Sequence, residues 1–139
     1  MADASHKITA HTIGACRVLL LDSITWLAED DAGHIVVSGS HGGRSAGDYA
    51  MRWPLALCCL NDAGVGKDRA GIVALDMLES RGTPALAYGH MSARIGDARD
   101  AWEHGIVTHV NASATALGFA AGQFVRDAIT RREWPTSPC

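Results

Sequence analysis

The chain has 139 residues, a formal net charge of −3, 47% apolar residues and 19% charged ones. That is the length of one ordinary domain. The charge is too sparse for a disordered chain, and the balance too acidic for a general nucleic-acid binder, which carries a basic stripe.

The longest uninterrupted apolar run, Leu55–Leu60, stops at Asn61, far short of the roughly 18–20 residues of a membrane span. Met1 to Lys7 lack a positive region followed by an apolar stretch, so no secretory leader is expected. The cysteines are Cys16, Cys58, Cys59 and Cys139. They form no C-x-x-C pair, so neither a structural zinc site nor a redox dithiol is expected. Cys58 and Cys59 are adjacent in a strand-like run and should point to opposite faces as small buried hydrophobes. Unpaired thiols of this kind suit the cytoplasm.

In chain order, Ile8 to Ile13 reads as an edge strand. Ala15 to Glu29 reads as a helix, with Leu20, Ile24 and Leu27 in register. Asp30 to Gly33 is a turn into a buried strand at 34–38, which ends in the glycine loop Gly42-Gly43-Arg44. Ser45 to Asp48 has the Ser-x-x-acid pattern of a helix cap, and a short helix should end before Pro54. A strand at 55–60 runs into the loop Asn61 to Gly66. Lys67 to Arg81 predicts a helix, because Ala70, Val73, Ala74, Met77 and Leu78 share one face, with Gly82 as its stop. A strand follows at 84–88. Ser92 should cap a helix to His104, with Ile95, Ala98 and Trp102 inward and Gly105 ending it. A strand at 106–110 and a long Ala-rich helix at 112–132 complete the pattern, with Arg131 and Arg132 at the helix's negative end.

Alternating strand and helix predicts a single α/β domain over 1–139, with 1–14 and 134–139 the segments most prone to fray. The expected architecture is a three-layer, Rossmann-like or flavodoxin-like, mostly parallel sheet with helices on both faces. The strands at 34–38, 55–60, 84–88 and 106–110 would all run parallel.

In such sheets ligands bind beyond the strand C-termini, near a topological switch point. Those ends carry Ser38, Gly39, Ser40, His41, Gly42, Gly43 and Arg44 after the first strand. They carry Asn61, Asp62, Gly64, Gly66 and Lys67 after the second, Gly89, His90, Ser92 and Arg94 after the third, and Asn111 after the fourth. The glycines would let backbone N–H groups approach an oxyanion, the serines would add hydroxyls, and Arg44, Lys67 and Arg94 would add positive charge. His41 and His90 are candidate acid–base groups, oriented by Asp62. The same three side chains could instead hold a metal ion, but no close H-x-x-x-H spacing accompanies them, and no metal is assigned. His109 reads as a core histidine, and His6, His11, His34 and His104 as peripheral. Arg94 with Asp97 and Arg99 with Glu103 have the spacing of surface ion pairs.

Three familiar motifs fail. In the P-loop-like stretch ending Gly64-Val65-Gly66-Lys67, Asn61 replaces the first glycine and Asp68 replaces the hydroxyl residue after the lysine. Neither glycine loop has the spacing of the dinucleotide fingerprint. Ser38 replaces the first glycine of a Gly-x-Ser-x-Gly elbow. No motif therefore requires a cofactor. Gly118-Phe119-Ala120-Ala121-Gly122 would place small residues four apart on the last helix, where a homo-oligomer contact helped by Trp134 could form.

The leading expectation is a small cytoplasmic enzyme acting on a compact anionic metabolite. Hydrolase, lyase and isomerase chemistry are all compatible with the residues. The competing expectation is a noncatalytic ligand-binding or assembly module on the same fold. Neither nucleic acid nor membrane is an expected partner.

Overall fold

The computed structural model describes residues 7–134. Six strands form one sheet: β1 (Lys7–Ile13), β2 (Cys16–Leu21), β3 (Ile35–His41), β4 (Leu57–Asn61), β5 (Ala85–Tyr88) and β6 (Val107–Val110). Five short helices accompany them: α1 (Arg44–Ala50), α2 (Val73–Glu79), α3 (Ala98–His104), α4 (Ala112–Ala116) and α5 (Val125–Thr130). None of the described helices is long and apolar enough to cross a membrane.

The strand order is sequential, β1-β2-β3-β4-β5-β6. Strands β2 to β5 are parallel, while β1 pairs with β2 and β6 with β5 in antiparallel fashion. The sheet is therefore mixed, not the mostly parallel Rossmann-like or flavodoxin-like sheet expected from the alternation of elements. Both edge strands, β1 and β6, run antiparallel to their neighbours, and of the four strands expected to be parallel the one at 106–110 is reversed.

Handedness gives a physical reason for that direction. When successive parallel strands add in one direction, right-handed crossovers all fall on the same face. Ile24, Leu27, Ala46, Ala50, Ile72, Leu75 and Leu78, from the connections after β2, β3 and β4, do pack on one face with Leu19, Leu21, Val36, Cys58, Leu60 and Ala85. The opposite face, with Val18, Leu20, Val37, Cys59, Leu86 and Tyr88, still needs cover. It receives Ala98, Ala101 and Trp102 from α3, then Ala114, Phe119, Val125, Ile129 and Trp134. With α3 on that face, a parallel β6 beside β5 would require a left-handed crossover. Reversing β6 removes the conflict.

Other expectations are corrected locally. Ala15 to Glu29 is not a helix but strand β2 followed by two 3-10 turns, Ile24–Trp26 and Glu29–Asp31. Gly43, with no side-chain bond, occupies the cap position of α1, and Ser45 lies inside the helix. Residues 67–72 form an irregular 3-10 stretch in which Asp68 and Arg69 have φ of 56° and 60°, so a regular helix begins only at Val73. Asp97, not Ser92, caps α3, its carboxylate accepting the Asp100 N–H. The segment 112–132 is broken. Gly118 at φ 97° ends α4, with Phe119 N–H donating to Ala114 O and Gly118 N–H to Thr115 O, the glycine-closed pattern of a helix C-terminus.

The small residues around Gly118 therefore form no helical contact stripe. Trp134 is buried against Phe119, with its indole N–H donating to Ile129 O. Burying an aromatic side chain stabilises by about 2–3 kcal/mol, so Trp134 fastens this segment to the core. Of the segments expected to fray, 1–6 and 135–139 lie outside the described residues, while Lys7–Ile13 is strand β1. Cys58 and Cys59 do point to opposite faces, both fully buried. Burial pushes the Cys58 thiol up to about 12.

Gly39 sets how tightly β3 meets the loop before α3. A Cβ there would fall 2.6 Å from Asp97 N, 2.7 Å from Asp22 O and 2.7 Å from Gly96 C, all backbone atoms. Gly39→Ala should therefore lower the unfolding free energy by about 1–3 kcal/mol or more, read by urea denaturation. A neutral result would show that this loop stands off the sheet.

Candidate functional site

The loops after β4 and β5 leave the sheet toward opposite faces, because α2 and α3 pack on opposite faces. Adjacent strands whose connections diverge in this way open a crevice between their C-terminal ends. Asp62, one residue past β4, and His90, two residues past β5, meet in that crevice.

Asp62 is only 5% exposed. Its Oδ1 accepts the Gly64 N–H at 2.8 Å, the His90 N–H at 3.0 Å and the His90 Nδ1 at 3.2 Å. Its Oδ2 accepts the Thr108 hydroxyl at 2.9 Å. Burial opposes ionisation, but the donors from Gly64, Thr108 and His90 outweigh it and hold the carboxyl below its ordinary value. An ionised carboxylate only accepts, so Nδ1 of His90 carries the proton. In the neutral ring the lone pair is then on Nε2. The His90 side chain is 49% exposed, against 7% for Asp62. The pair is thus a buried, fixed carboxylate behind a solvent-facing imidazole.

His41 is oriented differently. Its Nδ1 accepts the Gly43 N–H at 2.9 Å, which leaves Nε2–H as the donor of its neutral ring. Strand β3 places it on the same edge, with His41 opposite Asn61 in the β3–β4 register. Its observed partner is Gly43, not Asp62. Among the described residues, no three His, Cys, Asp or Glu side chains stand close enough together to hold a metal ion.

The backbone donors expected to hold an anion are already engaged. Ser40 N–H donates to Ser38 Oγ, Gly42 N–H to Asn61 O, Gly64 N–H to Asp62 Oδ1 and Gly66 N–H to Gly64 O. The space at Gly42 is filled by the chain itself, since a Cβ there would lie 2.8 Å from Gly71 O. Gly39 and Gly42 let backbone pack on backbone and open no room for a ligand. Ser38 is buried, and Ser40 Oγ accepts the Ile24 N–H. Asn61 is also buried, bridging Ala93 O and the Ala63 N–H. Arg44 and Lys67 are exposed.

Reversal of β6 exchanges two residues. Asn111 goes to the opposite edge, where it caps α4 and bonds Leu75 O, Thr83 O and the Ala85 N–H. Thr108, absent from the expected site, arrives instead and fixes Asp62. No local pattern marks it, because its position depends on strand direction. His109, half-buried, contacts the Thr108 hydroxyl at 3.0 Å. Ser92 Oγ donates to Gly89 O and accepts the Ile106 N–H, so it is a brace between β5 and β6. A cavity beside the imidazole is lined by His90, Met91, Ser92, Ala93, Arg94 and Asp100. Arg94 is 78% exposed, with Asp97 at 3.4 Å. No ion pair forms between Arg99 and Glu103 among the described residues. Instead His104 and Arg94 N–H share Asp100. Met91, Ile95, Ile106 and Phe124 leave large apolar side chains exposed near the same cavity or the β6 entrance.

No protein-family model, curated protein or solved structure matches the chain.

The lowered pKa of Asp62 has a definite sign. Its folded value lies below that of an unfolded aspartate, near 3.9. Its stabilising contribution is complete above the unfolded value and lost as pH falls through the folded one. Asp62→Asn should lower stability at pH 7 by about 2–3 kcal/mol, and the gap from the native protein should narrow below about pH 4. Urea unfolding at pH 7 and in acid measures it. A gap independent of pH would assign the loss to shape instead of charge.

Proposed function

We propose that the chain is a small enzyme in which His90 acts as a general base on a compact anionic metabolite. The observation that carries this reading is the Asp62–His90 pair: a buried carboxylate with four donors, one of them the ring N–H of a half-exposed imidazole. Such a carboxylate fixes the tautomer and supports the imidazolium that forms when Nε2 takes a proton.

The attacking group would be water or a group of the substrate itself. Ser92 and Thr108 hydroxyls both donate within the protein, to Gly89 O and Asp62 Oδ2, and neither is an activated nucleophile. Hydrolysis by activated water and proton abstraction from a substrate carbon both fit. Arg94, which lines the cavity beside His90, is the cation best placed for the substrate's negative charge. His41 would act as a second, donating imidazole farther along the edge. A cytoplasmic setting suits the buried thiols of Cys58 and Cys59.

Incubation of the purified protein with a metabolite mixture, followed by mass spectrometry, tests this reading. A consumed anion should be identified, and His90→Ala should slow its conversion by about 10²–10⁴-fold. Asp62→Asn should slow it and shift the pH profile, while Arg94→Gln should raise KM more than it lowers kcat. Undiminished turnover in His90→Ala would overturn the assignment. Saturable binding without any chemical change would make the chain a noncatalytic binding module.

A further inference from the structure

The opposite end of the sheet carries a second cavity. Strands β4 and β5 are parallel neighbours, so the segments that enter them lie side by side. Between those segments is a cavity of about 120 Å³ lined by Met51, Arg52, Trp53, Pro54, Arg81 and Thr83. No acidic residue lines it. Among the described residues, neither Arg52 nor Arg81 has a carboxylate within ion-pair distance. Arg52 lies 4.4 Å over the Tyr49 ring, and Arg81 makes one long bond, 3.4 Å, to Met51 O. Both guanidiniums keep most of their donors.

Thr83 is the second, independent sign. The residue is only 7% exposed. Its backbone is fully used, the N–H donating to Leu78 O and the carbonyl accepting Asn111 Nδ2. Its hydroxyl makes no hydrogen bond among the described residues and is not sealed off, since every fully enclosed side-chain polar atom has a partner. A hydroxyl in a nearly buried residue that opens into a two-arginine cavity lacks a partner of the opposite kind: an acceptor carrying negative charge.

We propose that this cavity binds a tetrahedral oxyanion, phosphate-like or sulfate-like, paired with Arg52 and Arg81 and hydrogen-bonded by the Thr83 hydroxyl. Its small volume fits one such group and excludes a whole nucleotide. The group is either a free anion or the phosphoryl end of a larger ligand that continues over Trp53 and Pro54. The site lies across the sheet from Asp62 and His90, so it stands independently of their chemistry.

Amide and indole NMR of the full chain, titrated at constant ionic strength with inorganic phosphate, sulfate, glycerol phosphate and chloride, tests the proposal. Saturable shifts should be confined to residues 51–54, 81–83 and the Trp53 indole, with chloride giving none. Arg81→Gln and Thr83→Val should each weaken phosphate binding about tenfold or more, and Thr83→Ser should restore it. Tighter binding of glycerol phosphate than of phosphate would indicate a phosphorylated ligand, and equal binding a free anion. Unsaturable shifts, an equal response to chloride, or unchanged affinity in well-folded Arg81→Gln and Thr83→Val proteins would overturn it.

Discussion

A carboxylate as enclosed as that of Asp62 is tolerated only if donors surround it, because an unpaired buried charge is strongly destabilising. Here the donors come from three separate places: Gly64 in the loop after β4, His90 in the loop after β5, and Thr108 on β6. The one group therefore ties together the ends of two parallel strands and the start of an antiparallel one. It also holds strained chain. The segment after it places Ala63, Val65, Asp68 and Arg69 at positive φ, including the β-branched Val65 at 66°. Each such residue costs on the order of 1 kcal/mol. The Val65 N–H donates to Asp62 O at 2.7 Å, and the Gly71 N–H to Val65 O at 2.7 Å. The residue that orients the imidazole thus also anchors the loop that walls its crevice.

The crevice itself follows from how the sheet is wound. Sequential strand order removes the reversal that creates a switch point in doubly wound folds. Divergent loops arise here because β5 is followed by a helix on the face that the earlier connections left bare. Cover for that face and the opening between β4 and β5 are consequences of the same turn of the chain. Tyr88, the last residue of β5, is buried in the core, its hydroxyl donating to Ser38 O at 2.6 Å. Burial raises its pKa, so the phenol stays neutral and structural.

Much of this was legible in the sequence. The strands at 34–38, 55–60 and 84–88 are buried on both faces, and a short apolar run between glycine-rich loops is the signature of such strands. Their ends located Asp62 and His90. Strand β2 was not legible, because Leu20, Ile24 and Leu27 recur at spacings of four and three. A strand buried on both faces has no alternation to set against that helical match. Every residue of Cys16–Leu21 except Arg17 is buried. The direction of β6 was not legible either, since alternation reads the same both ways along a strand. That single unknown sent Asn111 to the wrong edge and concealed Thr108. In 67–81, apolar spacing was right from Val73 onward but silent about the left-handed backbone before it. A close approach set that backbone: a Cβ at Gly71 would fall 2.5 Å from Asp62 O.

The glycine loops show why composition alone overstates a ligand site. Gly39, Gly42 and Gly71 stand where one stretch of backbone crosses another at a distance no side chain allows. Two of these glycines also give their N–H to an internal acceptor, Gly42 to Asn61 O and Gly71 to Val65 O. A glycine required for packing is therefore less available to a ligand than one at an open turn. Donors without partners are found at side chains that packing leaves free. At the C-terminal edge that leaves the His41 Nε2–H, the exposed Arg44 and Lys67, and the donors of Arg94 that its contact with Asp97 does not use. At the N-terminal edge it leaves Arg52, Arg81 and the Thr83 hydroxyl, with no carboxylate among them. Recognition by this fold is thus a matter of side chains at the two ends of β4 and β5, while its glycines hold those ends together.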